Sequence, residues 1–325
     1  MHPGVNALVE VEDLHVQFGD ARAVDGASLR VMPGEVLALV GESGSGKTTL
    51  IRAIQGLQRA TSGNIRVEGK TQTIFHDPTV QMVFQDPTGA LNPRQTVYEI
   101  VAEGLRIRKE PGDELEMVKS ALSQAGLRPP ERFLQLYPHE ISGGQRQRVV
   151  IAGAMVMQPR LLLADEPVAS LDASIRGEIL ALMRRLVDDT GLAILAVTHD
   201  LGLAWNIADR VAVMYLGRIV ETGSTEEILD DPKHPYTRAL LSVVPETREM
   251  EQQILKGEIP DLTHMPSGCR FHPRCPLLQT GTLSEEMAAR CVGDDPGPVA
   301  LDAITAAACW PAMTTADRSD GGRTE

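Results

Sequence analysis

The chain has 325 residues, enough for one large domain with an appendage or for two modest domains. Hydrophobic residues make up 42%, so a sizeable core is possible, whereas aromatics at 3% are too sparse for a platform that stacks nucleic-acid bases. The net charge of -13, from 31 basic and 44 acidic residues, disfavours loose binding to phosphate backbones or anionic lipid, and no nucleic-acid partner is expected.

Residues 8–31 alternate. Val9 and Val11 oppose Glu10 and Glu12, then Leu14, Val16 and Phe18 follow at period two, and Leu29 and Val31 continue after Gly26. The pattern predicts antiparallel strands with one buried face. Residues 36–40 are apolar without alternation, which predicts a strand buried on both faces, and 161–164, 193–197 and 211–214 repeat the signature. Helical patterns lie between them at 48–57, 143–157 and 174–188, so a parallel sheet covered on both sides is expected. Pro87, Pro93, Pro111, Pro129, Pro130 and Pro138 punctuate short helical patterns at 96–108 and 113–125, which predicts a helical insertion over about 87–155. Residues 222–243 read as a helix-loop-helix that closes a first domain at about residue 245. Residues 246–310 hold all four cysteines and little periodicity, and 311–325 are small and polar, as in a disordered tail.

No apolar run approaches the roughly 18–20 residues of a membrane helix. The first twenty residues carry no basic region followed by an apolar one. A cytoplasmic location is expected, where cysteines are free thiols or metal ligands rather than disulfides.

Gly41-Glu42-Ser43-Gly44-Ser45-Gly46-Lys47-Thr48 fits G-x-x-x-x-G-K-S/T and sits between a buried strand and a helix. The glycines let backbone N–H groups close on phosphate oxygens, and the helix aims its positive end at the same anion. Lys47 adds a full charge at the β- and γ-phosphates, and the Thr48 hydroxyl can ligate Mg²⁺. Thr49 follows in the same turn. This motif predicts nucleotide binding without choosing among P-loop families.

Ile141-Ser142-Gly143-Gly144-Gln145 makes that choice, because it resembles the Leu-Ser-Gly-Gly-Gln signature of ABC ATPases with Ile in place of Leu. Ser142 is also an ordinary N-cap residue, and a helix N-terminus of this kind can hold phosphate. Residues 161–167, ending in Asp165-Glu166-Pro167, resemble the Walker B segment. The resemblance implies that Asp165 holds Mg²⁺ and that Glu166 polarises the attacking water. It implies a Q-loop role for Gln85 toward Mg²⁺ and the γ-phosphate, and a switch role for His199 in Thr198-His199-Asp200. It also implies a D-loop in Ser170-Leu171-Asp172 and an adenine-stacking role for Phe18. Taken alone, Phe18 is a core strand residue and His199 a plain strand-end histidine. In this family the signature of one subunit completes the site of another. The expected fold is therefore an ABC cassette with an N-terminal antiparallel β subdomain, a helical insertion and a cysteine-containing extension, ATP lying between paired subunits.

One cassette without a heptad run suits a transporter rather than a soluble ABC protein. Residues 80–87, Leu91-Asn92-Pro93, Tyr137-Pro138-His139-Glu140 and residues 234–241 resemble the peptide and nickel uptake subfamily. Gly257-Glu258-Ile259-Pro260 and residues 267–276 are similar to its dipeptide/oligopeptide C-terminal extension. The resemblance implies an importer ATPase at the cytoplasmic face of the inner membrane. Its implied partners are a paralogous second ATPase, two permease subunits and an extracytoplasmic binding protein.

Cys269, Cys275, Cys291 and Cys309 are spaced C-x5-C-x15-C-x17-C, without the tight C-x2-C pairs of zinc ribbons or bacterial ferredoxins. Cys275-Pro276 echoes the end of ferredoxin motifs. Some members of the resembled subfamily carry a 4Fe-4S cluster on four such cysteines, which is expected here. A zinc site and plain buried thiols stay open, with His272 a spare ligand. Two other functions stay open as well: a soluble ABC switch protein with a redox-sensing cluster, and a regulatory partner that does not hydrolyse ATP.

Overall fold

The computed structural model describes residues 6–72, 77–169, 171–199, 201–244, 253, 255–297 and 305–313. Ser170, Asp200, most of 245–254 and the tail from 314 onward lie outside the described residues. Of the expected disordered tail, residues 311–313 are described, and they continue a helical turn that begins at Trp310.

Strands β1 (Val9–Phe18) and β2 (Ala21–Val31) form the predicted antiparallel pair, with Val9 opposite Val31 and Phe18 opposite Ala21 at the turn. Strand β3 (Val36–Val40) is buried throughout and runs into the glycine-rich loop, from which α1 (Lys47–Gln55) departs. β4 (Ser62–Val67) and β5 (Lys70–Thr71) complete a four-stranded sheet in the order β2-β1-β4-β5. β6 (Val80–Val83) leads into α2 (Pro87–Ala90), α3 (Val97–Arg108), α4 (Glu114–Gln124) and α5 (Gly143–Met155), the expected helical insertion. Its helices begin on explicit caps: Thr96 accepts from the Glu99 N–H in a capping box, and Asp113 accepts from Leu115 and Glu116. β7 (Leu161–Asp165), α6 (Ala173–Thr190), β8 (Ala193–Thr198), α7 (Leu201–Ile207), β9 (Arg210–Tyr215) and β10 (Arg218–Ser224) complete the core. Two short helices follow, α8 (Thr225–Asp230) and α9 (Pro235–Leu241), as expected for 222–243 except that its first residues end β10. The extension contributes α10 (Pro276–Gln279), α11 (Glu285–Gly293) and β11 (Ala306–Ala307).

The large sheet runs β11-β10-β9-β3-β8-β7-β6. β9, β3, β8, β7 and β6 are parallel, whereas β10 and β11 add antiparallel at one edge. Both faces of its centre are covered, as unbroken apolar runs require. Leu161 and Leu163 of β7 join a core shared with α1 and the antiparallel sheet, while Leu162 and Ala164 face the helical side. α1 drives Leu50, Ile51 and Ile54 into the core between the sheets, which fixes the helix that leaves the loop. No described helix is long and apolar enough to cross a membrane.

The extension docks on this framework. β11 pairs with β10, and Phe271 is buried with Tyr215 and Tyr236 at ring distances of 5.3 and 5.4 Å. Apolar burial and edge pairing hold it in place, where the cysteine-rich sequence left a metal as the expected staple.

Candidate nucleotide site

The loop at the end of β3 takes its shape from two glycines. Gly41 has φ 154° and Gly46 φ 105°, and a Cβ on either would fall 2.2 Å from a backbone carbonyl oxygen, of Met214 and Ala23 respectively. Only glycine fits such an approach. Gly46 caps α1 without a side-chain bond, so the first N–H groups of the helix stay available to an anion. The Lys47 ammonium donates to the Gly41 and Glu42 carbonyls, both at 2.8 Å, and to Ser45 Oγ at 3.2 Å. Burial pulls its pKa below the ordinary lysine value, against the opposing pull of Glu166, Asp165 and Glu42.

Beside the loop, Thr48 Oγ1 donates to Asp165 Oδ1 at 3.1 Å. Asp165 ends β7 and is almost fully buried, which raises its carboxyl pKa despite the Thr48 bond and the nearby Arg52 and Lys47 charges. A hydroxyl and a carboxylate this close form an oxygen donor pair suited to Mg²⁺.

Glu166 turns the chain at φ 46° and donates its N–H to Val197 O of β8 at 2.9 Å. The same strand carries the chain to His199, whose Nδ1 lies 3.0 Å from Glu166 Oε1. Glu166 Oε2 accepts from Gln85 Nε2 at 3.2 Å. One carboxylate is thus held from both sides by the two other residues that the sequence singles out for the γ-phosphate end.

Lys47, Thr48, Gln85, Glu166 and His199 line a cavity of ≈ 630 Å³ together with Phe18, Ala23, Ser43, Gly44, Gly46, Thr49 and Leu262, whereas Gly41, Ser45 and Asp165 are not among its lining residues. That volume suits a nucleotide-sized ligand. Phe18 is 52% exposed, so its ring stands free at the hairpin tip and not in the core, which its period-two position taken alone would suggest. Ala23 and Leu262 escape sequence reasoning because no motif or charge marks them.

Ser142, Gly143, Gly144, Gln145 and Asp172 do not line this cavity. Ser142 Oγ accepts from the Gln145 N–H at 3.2 Å and Gln145 Oε1 accepts from the Ser142 N–H at 2.9 Å, a capping box at the start of α5. Gly144 packs against Ile175 of α6, and Asp172 is the N-cap position of that helix, so signature and D-loop neighbour each other.

The cluster expected on Cys269, Cys275, Cys291 and Cys309 is not supported. Among the described residues no three His, Cys, Asp or Glu side chains are arranged to hold a metal ion, and all four cysteines are free. Burial, together with the other cysteines nearby, pushes the Cys269 thiol up to about 11 and Cys309 up to about 12. The spare ligand His272 bonds the Cys269 carbonyl through Nδ1 at 3.0 Å. Cys275, Cys291 and Cys309 are buried in the packing of the extension, and Cys269 is half-buried. The redox-switch reading loses the feature on which it rested.

Residues 24–169 match the family described as "ABC transporter", and residues 220–281 match "Oligopeptide/dipeptide transporter, C-terminal region". The oligopeptide transport ATP-binding protein OppF of Escherichia coli (strain K12) is 41% identical over 304 residues, 84% of this chain and 90% of that protein. The oligopeptide transport ATP-binding protein AppF of Bacillus subtilis (strain 168) is 43% identical over 278 residues, 81% of this chain and 84% of its own length. Among solved structures, cbiO1 from Clostridium perfringens, part of the ABC transporter complex cbiONQ, superposes with a TM-score of 0.64. It is 31% identical and is matched over 70% of this chain and 92% of its own. A dimeric post-hydrolysis ATP-binding cassette bound to ADP and Pi gives 0.59 at 27% identity, over 67% of this chain and 98% of its own. On these matches the chain belongs to the ABC transporter ATP-binding proteins, in the branch that carries the oligopeptide/dipeptide C-terminal region.

Proposed function

We propose that the chain binds Mg-ATP in the cavity at Lys47 and hydrolyses it to drive a peptide importer at the cytoplasmic face of the inner membrane. The arrangement of Glu166 between His199 and Gln85 carries this reading. A carboxylate with its two oxygens held 3.0 and 3.2 Å from fixed partners is oriented to accept a proton from water on the γ-phosphate side of Lys47. Thr48 and Asp165, with Gln85 beside them, would hold Mg²⁺, which when bound neutralises phosphate charge. Phe18 supplies a face for adenine. His199 orients Glu166 and contacts the γ-phosphate.

Ser142, Gly143, Gly144, Gln145 and Asp172 lie outside the chain's own cavity, which supports their donation to a second subunit. ATP then lies between the loop of one subunit and the signature of another, a paralogous ATPase. The related cassette in dimeric form bound to ADP and Pi supports this pairing. The names of the curated relatives point to peptide as cargo, with two permease subunits and an extracytoplasmic binding protein as further partners.

Replacing Glu166 by Gln keeps the shape of the side chain and removes its capacity as a base. The expected outcome in the assembled complex is a fall in ATP turnover of at least about 100-fold with ATP binding retained. Unchanged turnover would assign all hydrolysis to the partner subunit and remove the proposed role of Glu166.

A further inference from the structure

Two residues of the extension touch the nucleotide site from outside every cassette motif, one lining the cavity and the other holding the phosphate loop. Leu262 lines the cavity, and its carbonyl accepts the Arg22 N–H at 3.1 Å. Arg22 pairs with Gln17 in the β1–β2 hairpin, one step from Phe18. Leu262 thus sits at the same end of the cavity as the free Phe18 ring, and it also packs on the aromatic core of the extension.

Arg274 is the second. Its guanidinium, 6% exposed, holds the Glu42 carboxylate with two bonds, Nη1 to Oε2 at 2.8 Å and Nη2 to Oε1 at 3.0 Å. Glu42 lies inside the phosphate loop. Its N–H donates to the Tyr236 hydroxyl at 2.8 Å and its carbonyl accepts from Lys47 Nζ at 2.8 Å. One loop residue is therefore gripped at its side chain by the extension, at its N–H by α9 and at its carbonyl by the phosphate-binding lysine. Arg270, four residues earlier, secures the same segment to the cassette through the Leu216 carbonyl at 2.6 Å and through Asp25.

The physical consequence follows from charge and from entropy. A fork-to-fork arginine–carboxylate pair is among the stronger and more directional contacts available. Without it, Glu42 would carry an unneutralised negative charge in a loop built to receive polyphosphate. The loop would also have to be ordered at the moment of binding, and that ordering subtracts from affinity. We propose that Arg274 is a positioning residue of the nucleotide site: the extension sets ATP affinity by neutralising and fixing Glu42, while Leu262 closes the base end opposite Phe18. The proposal rests on reading the cavity as an ATP site.

The test uses the full-length chain with a fluorescent ATP analogue and Mg²⁺, and the assembled complex for turnover. Arg274→Gln should raise the dissociation constant by about 10-fold, the scale of a lost charge-assisted hydrogen-bond pair, and raise KM for ATP while kcat stays within about two-fold. Arg274→Lys, which keeps the charge without the fork, should fall between. Adding Glu42→Gln to Arg274→Gln should recover part of the affinity, because it removes the charge left unpaired. Wild-type affinity in Arg274→Gln, or equal losses in kcat and affinity with no recovery from Glu42→Gln, would overturn the positioning role. If Arg274→Gln does not fold, Arg274→Lys and Glu42→Gln give the same comparison. Failure of the wild type to bind the analogue, or undiminished binding by Lys47→Ala, would instead remove the ATP-site reading, so the two failures stay distinct.

Discussion

His234 is a residue whose position in the fold decides its chemistry. It is the N-cap of α9, its Nδ1 accepts the Tyr236 N–H at 3.1 Å, and burial pushes its pKa down to about 3. The folded protein therefore keeps the ring neutral while the unfolded chain protonates it below about pH 6.5. The unfolded state binds more protons in that window, so stability falls as pH drops from about 6.5 toward 3. Glu221, which accepts the His234 N–H at 2.9 Å, has its pKa raised by burial, and its protonation in the folded state works in the opposite direction. Asn is a good N-cap and does not titrate. His234→Asn should thus flatten the slope of unfolding free energy between pH 6.5 and 5, which approaches ~1.4 kcal/mol per pH unit for a fully shifted group. Denaturant titrations at three pH values measure it, and equal slopes in variant and wild type would assign the acid sensitivity elsewhere. Other single residues were legible without the fold. Lys47 and Thr48 are marked by the phosphate-loop motif, whereas Gln85, Asp165, Glu166 and His199 stand out only through resemblance to the ABC family. Leu262 and Arg274 were not legible. Arg274 meets a partner 232 positions away, and nothing local in the chain encodes that distance.

At the level of elements, the strands buried on both faces were the easiest to read, because an apolar run between glycine or proline stops has few other homes. β4 escaped notice because Ser62, Gly63 and Asn64 are polar and exposed, and only Ile65 and Val67 face inward. β6 is four residues long, too short for a period to show, and β11 is recruited by the sheet edge rather than by its own two alanines. The extension shows little periodicity for a related reason: its apolar residues are placed one by one against β9 and α9. α5 carries a prediction of its own. Ser142 serves the helix through its capping box, and the proposed function gives it a second duty toward phosphate bound by another subunit. Asp caps as well as Ser, so Ser142→Asp should leave the unfolding free energy within about 1 kcal/mol of the wild type. The added negative charge at the helix N-terminus faces phosphate in the paired state, and turnover of the assembled complex should collapse. A variant with normal stability and normal turnover would mean that the signature does nothing beyond starting α5.

Among the described residues of the whole molecule, three cores meet around one sheet, and the third joins the cassette to its extension. Phe271 is its keystone: 1% exposed, edge-on to Tyr215 at 5.3 Å and tilted against Tyr236 at 5.4 Å and His234 at 5.6 Å. Tyr236 is the residue whose hydroxyl receives the Glu42 N–H, so the packing that holds the extension also supports the phosphate loop. Removing the ring should cost about 3–5 kcal/mol, because the transfer energy of a buried phenylalanine is lost and the surrounding aromatics can close the gap only in part. The loss should be local in its first consequence. The extension leans on this cluster, on a two-residue strand and on the Arg270 and Arg274 ion pairs, whereas the cassette keeps its two larger cores. Phe271→Ala should therefore become sensitive to limited proteolysis within 255–297 at temperatures where the cassette resists, and its affinity for ATP should fall with the release of Glu42. Phe271→Leu, which refills most of the volume, should show both effects weakly. Digestion followed by mass spectrometry of the fragments separates the two regions. Simultaneous loss of cassette and extension would show instead that the molecule unfolds as one cooperative block, and that Phe271 supports the phosphate loop no more than it supports every other part.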